Sequence, residues 1–134
     1  MSDGRTTRGI GRAGEGVVCL WLESQGHRVV CRNYTAPHGE IDIISECGKY
    51  IVFTEVKLRS DTAVQKRFGR PSHAVNAEKK RHILAAASEY LRTHPTGKQP
   101  RIDVCEVLME KWAETGAVSF RIHNIERAFG AESK

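Results

Sequence analysis

The chain has 134 residues, of which 40% are hydrophobic and 28% charged, a balance that can bury a core and that excludes a disordered tail or a fibrous repeat. Lys and Arg number 21 against 16 Asp and Glu, a formal charge of +5 that makes polyanions plausible partners. No apolar run nears the roughly 18 residues that cross a bilayer, and the polar amino terminus lacks the apolar stretch of a secretory signal. A soluble, cytoplasmic protein with one domain over residues 1–134 is expected, with 1–10 flexible and 130–134 a tail.

Residues 11–25 carry a helical pattern, with Gly26 as its stop. Glu15, Val18, Cys19 and Leu22 stand at i, i+3, i+4 and i+7, so a carboxylate shares the side of an apolar stripe. Just ahead, Gly9, Gly11 and Gly14 match GxGxxG. A dinucleotide fingerprint needs a buried strand feeding its first glycine, and the eight residues before Gly9 are almost all polar or charged. Close packing of the helix start is the better reading.

Three strands follow at 28–34, 40–46 and 50–58, the last two joined as a hairpin through Cys47-Gly48. A second helix is predicted over 72–93, ended by His94-Pro95-Thr96-Gly97. Strands at 101–109 and 118–122 come next, then a short helical tail capped by Asn124. The order αβββαββ predicts an α/β fold, a mixed sheet with helices packed on it and a crossover through the second helix.

Cys19, Cys31, Cys47 and Cys105 lie 12, 16 and 58 residues apart, with no CxxC pair or Cys/His knuckle, so they are read as packed thiols. His38, Glu40 and Asp42 occupy alternate positions and share a face only if a strand runs through them.

Strand alternation puts Glu40 and Asp42 on one face of the second strand, with Ile41 and Ile43 on the other. On the third strand Glu55 and Lys57 extend the row of Ile51 and Phe53. If the hairpin unites those faces, Asp42, Glu55 and Lys57 converge. Two carboxylates across one strand pairing can hold Mg²⁺ (or Mn²⁺) and leave positions for water and a phosphate oxygen. A lysine one alternation further can meet the attacking water or the charge that develops on phosphate. The alternative is a plain Glu55–Lys57 ion pair beside a solvated Asp42. The apolar lead-in Ile51-Val52-Phe53 favours a central strand, where idle charges are costly.

Spaced as D-x12-ExK, Asp42, Glu55 and Lys57 resemble the PD-(D/E)XK nuclease superfamily, with Ile41 in place of the proline of its name. More closely, Gly14-Glu15, Arg32-Asn33-Tyr34, Gly39-Glu40-Ile41-Asp42, Phe53-Thr-Glu55-Val56-Lys57-Leu-Arg59, Ala74-Val75 with Lys79, and Arg101-Ile-Asp103 resemble the YraN-like family of small bacterial proteins. That likeness runs from Gly11 to Phe129. It implies a restriction endonuclease-like αβββαβ core, related to Holliday-junction resolvases. It also implies Asp42, Glu55 and the Val56 carbonyl as Mg²⁺ ligands, Glu15 as an added acidic ligand, and Lys57 positioning the nucleophilic water.

Charge divides unevenly: net +1 over residues 1–59, +6 over 60–102 and −2 over 103–134. Arg59, Lys66, Arg67, Arg70, Lys79 and Lys80 are the candidate nucleic-acid contacts, with Lys79 leading, and Glu40 is a secondary acid. Arg59 reads equally as a surface partner of Asp61, and Asp103 as a structural partner of Arg101. The function expected is Mg²⁺-dependent endonucleolytic hydrolysis of DNA phosphodiesters, branched or structured DNA included. The alternatives are a non-catalytic nucleic-acid-binding or scaffold protein on the same fold, and an RNA-directed nuclease. DNA ranks ahead of RNA as partner, no membrane is expected, and a two-fold junction would favour a homodimer.

Overall fold

A computed structural model describes the backbone of residues 3–60 and 76–130 and the side chains of 13–59 and 76–130. Its elements are α1 (Asp3–Ser24), β1 (Arg28–Ala36), β2 (Gly39–Cys47), β3 (Tyr50–Ser60), α2 (Ala77–Thr93), β4 (Gln99–Lys111) and β5 (Val118–Ile125). The strands form one sheet in the order β1-β2-β3-β4-β5. Every neighbouring pair is antiparallel except β3 and β4, which run parallel because α2 carries the chain back between them. This is the mixed α/β sheet that the residue pattern predicts, and it is consistent with the restriction endonuclease-like core that the resemblance implies. Among the described residues no helix is long and apolar enough to cross a membrane.

The helices cover opposite faces. Val18, Cys19 and Leu22 of α1 pack with Ile43, Cys105 and Val107. On the other face Ile83, Ala86, Ala87 and Tyr90 of α2 pack with Ile41, Ile44, Ile51, Phe53, Ile102 and Val104. Phe53 and Leu22 are wholly buried, each contributing on the order of 1.5–3 kcal/mol. Asn76 caps α2 by accepting the Lys79 N–H at 2.8 Å, which fixes where the helix starts beside the sheet. Gly39 lets that contact close, since a Cβ there would lie 2.3 Å from the His82 carbonyl oxygen.

Three local expectations change. α1 begins at Asp3, not near Gly11, and Gly9, Gly11 and Gly14 lie inside it; polar residues 3–10 carry no apolar periodicity by which to detect a helix. Asn124 caps nothing. It pairs with Cys105 inside β5 and donates to Asp103 at 3.3 Å, so the expected helical tail is strand followed by turn. His38 sits in the tight turn between Ala36 and Gly39, outside the strand it needed in order to share a face with Asp42.

A fourth change bears on the site. Ile41 joins Ile44 in the α2-side core while Ile43 joins the α1-side core, so Ile41 and Ile43 do not share a face. The pleat is interrupted along this stretch, and on β1 Asn33, between the paired residues Arg32 and Tyr34, takes a left-handed backbone (φ 55°). Cys31 and Tyr34, three residues apart, both pack on the α2 side, as Ile41 and Ile44 do. Alternation therefore breaks between Ile41 and Ile43, at Asp42.

Candidate functional site

β2 and β3 are paired from Cys47↔Tyr50 as far as Ile43↔Thr54, and there the ladder stops. The next inward donor on β3, the Val56 N–H, goes to a side chain: Asp42 Oδ2 accepts it at 2.8 Å. In an antiparallel pair a residue turns its N–H and C=O to the same neighbour, so Val56 also presents its carbonyl to this gap. Asp42 is thereby fixed where the strands part, beside the residue that follows Glu55.

Glu55 is buried on the α2 face, in the row of Ile51 and Phe53. Two ammonium groups approach its Oε2: Lys57 Nζ at 3.3 Å and Lys79 Nζ at 3.6 Å. Lys57 arrives by strand alternation and Lys79 from the first turn of α2, positioned by the Asn76 cap. A buried acid would be costly alone, and the lysines offset that cost.

Glu15 reaches the gap from the opposite face, on the core-facing side of α1. Arg32 stands 3.7 Å from its Oε1, which accepts no hydrogen bond although buried. Burial, then the negative charge of Glu55, push the Asp42 carboxyl up to about 7, and Glu15 adds to the rise. The Val56 N–H and Lys79 pull the other way. Three acids thus influence one locus, one of them partly protonated near neutrality.

Among the described residues no three His, Cys, Asp or Glu side chains stand close enough to form a ready cage for a metal ion. The donor set is two carboxylates and the Val56 carbonyl, all oxygen, with Glu15 Oε1 unsatisfied behind them. That chemistry fits a hard divalent cation that keeps several water ligands, in the place the lysine ammonium groups now neutralise.

The remaining candidates divide. Glu40 is exposed and lines a shallow pocket of about 320 Å³ with Thr35, Ala36, Gly39, Lys79 and His82, so it flanks the site without entering it. Arg59 continues the row of Glu55 and Lys57, half-buried and opposite Leu108. Lys80 turns away, with its Nζ 5.5 Å from the centre of the Phe129 ring. Lys66, Arg67 and Arg70 lie outside the described residues. Asp103 is structural: Arg101 forks onto it with two 3.0 Å bonds, and both are buried.

Glu106 and His123 escaped the sequence reading. Glu106 of β4 lies opposite Lys57 in the parallel ladder, and His123 of β5 lies opposite Glu106. The signal was an acid inside an apolar strand run, Val104-Cys105-Glu106-Val107, the same anomaly that marks Glu55.

An αβββαβ core with Asp42, Glu55 and Lys57 gathered where two of its strands part defines a protein of the restriction endonuclease-like class. Residues 14–107 match the model of Uncharacterised protein family UPF0102, and the chain belongs to that family, the YraN-like family of the resemblance above. It is 34% identical to a UPF0102 protein of Chlorobium chlorochromatii, covering 98% of this chain and 99% of the relative. A UPF0102 protein of Alkaliphilus oremlandii is 39% identical over 90% of this chain and 97% of its own length. One from Beutenbergia cavernae is 40% identical over 78% and 86%.

Proposed function

We propose that the protein is a Mg²⁺-dependent endonuclease of the cytoplasm that hydrolyses DNA phosphodiester bonds, branched or structured DNA included. The observation that carries this is the juxtaposition of Asp42 and Glu55, with Asp42 pushed up to about 7 by burial and by its neighbour. A protein gains nothing in stability from two such acids side by side, and a bound cation is what relieves them.

Asp42 and Glu55 would hold Mg²⁺ or Mn²⁺ together with the Val56 carbonyl. Such a cation polarises the phosphodiester and stabilises the charge that develops on it. The work of the chain's own groups is positional. The Val56 N–H holds Asp42 in one orientation, so a carboxylate oxygen faces the gap without reorganisation. Lys57, half-buried and one alternation from Glu55, donates to the oxygen of the attacking water and offsets charge on the phosphate. Lys79 holds a phosphate from the α2 side, and Arg59 extends the contact along β3.

Cleavage of labelled duplex, single-stranded, flap and four-way DNA in Mg²⁺ or Mn²⁺ tests the proposal. Wild type should cut at least one of them, and Asp42→Ala and Lys57→Ala should each lose about 10²-fold or more, the scale of removing a transition-state contact. Equal residual cleavage in all three proteins, or none under any metal, refutes it. A binding protein on the same fold would still shift DNA, more weakly as salt rises.

A further inference from the structure

The carboxylate row does not end at Glu55. Across β3, β4 and β5 the ladder sets Lys57, Glu106 and His123 side by side. Glu106 belongs to the α2 face, since Phe53↔Ile102 and Glu55↔Val104 are the preceding pairs and these residues, Glu55 aside, lie in the α2-side core. Its side chain is 5% exposed. The Nδ1 of His123, itself largely exposed, bonds Oε1 at 3.1 Å, while the buried Oε2 has no hydrogen-bond partner. An unpartnered buried carboxylate oxygen is expensive, and it lacks a donor.

Glu55 has the opposite problem. It carries two ammonium groups on one oxygen. If a divalent cation takes that oxygen, both lysines are repelled and each needs another acceptor. Lys79 lines the pocket on the β1–β2 side, where Glu40 is available. Lys57 is on the β4 side, and neighbouring strands stand about 5 Å apart, within reach of its four-carbon stem.

Resting on the cation site proposed above, we infer that Glu106 is the positioning residue for Lys57: its free Oε2 receives the Lys57 ammonium when a divalent cation occupies Asp42 and Glu55. The cation and the lysine then cease to compete for Glu55. Lys57 is parked beside the site, charged and oriented toward the substrate.

Calorimetric titration of the full chain with Mn²⁺ and Mg²⁺ tests this without any cleavage assay. Glu106→Gln, which keeps the shape and removes the charge, should weaken cation binding about tenfold, because the lysine then stays on Glu55. In a Lys57→Met background the same substitution should change affinity by less than about twofold, since no ammonium remains to be parked. His123→Ala leaves the carboxylate in place and should keep affinity within about twofold of wild type, whatever its effect on Tm. Equal losses from Glu106→Gln in both backgrounds would mean that Glu106 acts by through-space charge, and no loss in either would mean that it is unused; both overturn the inference and leave the cation site standing. A His123→Ala loss as large as that of Glu106→Gln would trace the effect to damage in that corner and also overturn it. If wild type binds no cation, or binds it as Asp42→Asn does, the site itself falls and this inference with it.

Discussion

Asp42 shows how a single residue can carry two opposed roles. Free of cation, it is a burden: its carboxyl sits near 7 in the folded chain against an ordinary 3.8, so the native state holds an extra proton between those values. Its contribution to stability is therefore present below about pH 4 and is lost as pH rises to about 7. Thermal unfolding in chelator across pH 4–8 should show that decline, and Asp42→Asn should flatten it. Cation binding runs the other way. Below about pH 7 each bound ion displaces one proton from Asp42, so affinity should rise about tenfold per pH unit and level off above that point. A pH-independent affinity in calorimetry would show that Asp42 is not a ligand. Asp103 is the contrasting acid: its two bonds to Arg101 and those from Asn124 and the Arg127 N–H occupy both oxygens, which leaves it nothing to offer a ligand.

Among the elements, the β1–β2 hairpin is what aims the site. Its kink at Asn33 and its seat against α2 at Gly39 act on the same few residues from two sides. Gly39→Ala would drive a methyl into the His82 carbonyl, which is backbone and cannot swing aside. We expect a loss of about 2–4 kcal/mol, read as a fall in the urea or thermal midpoint, from displacement of α2 or the hairpin. Because Lys79 stands one turn before His82, the same variant should also release Lys79 from Glu55. Retention of wild-type stability by Gly39→Ala would show that the contact is slack. The two helices differ in what their sequences disclosed. α2 combined an apolar stripe and a stop, and its stripe residues Ile83, Ala87 and Tyr90 are buried where that pattern placed them. α1 showed only its carboxyl-terminal part, because a polar segment forms helix without apolar periodicity.

For the molecule as a whole, local and tertiary contacts thin the basic middle segment. Of its charges, Arg101 is buried on Asp103, Arg92 pairs with Glu89, Lys98 donates to the Gly48 carbonyl and Lys80 lies over Phe129. Lys79, together with Lys57 and Arg59 from β3, remains at the site among the described residues. A DNA-binding isotherm should therefore show a shallow salt dependence from this face, log Kd moving by about 0.9 per log unit of salt for each phosphate neutralised. Lys79→Ala should lower that slope by about one such unit, whereas Arg92→Ala should leave it unchanged. Equal effects from the two would place the backbone on a surface other than the Glu55 cleft.

The sequence by itself determined the order of elements, the crossover through α2 and the identity of the acid on β2 and the acid and lysine on β3, because strand alternation and helical periodicity are local rules that follow from backbone geometry. It also placed Glu15 on the core side of α1. The tertiary structure decided what those residues do to one another. Strand pairing stopped at Ile43↔Thr54, which opened the gap at Asp42; packing sent Ile41 and Ile43 to opposite faces, which broke the alternation at Asp42; and parallel pairing brought Glu106 beside Lys57 from 49 positions away along the chain. Register, and with it the company each charge keeps, is set by the balance of all the packed faces at once, and no stretch of sequence contains it.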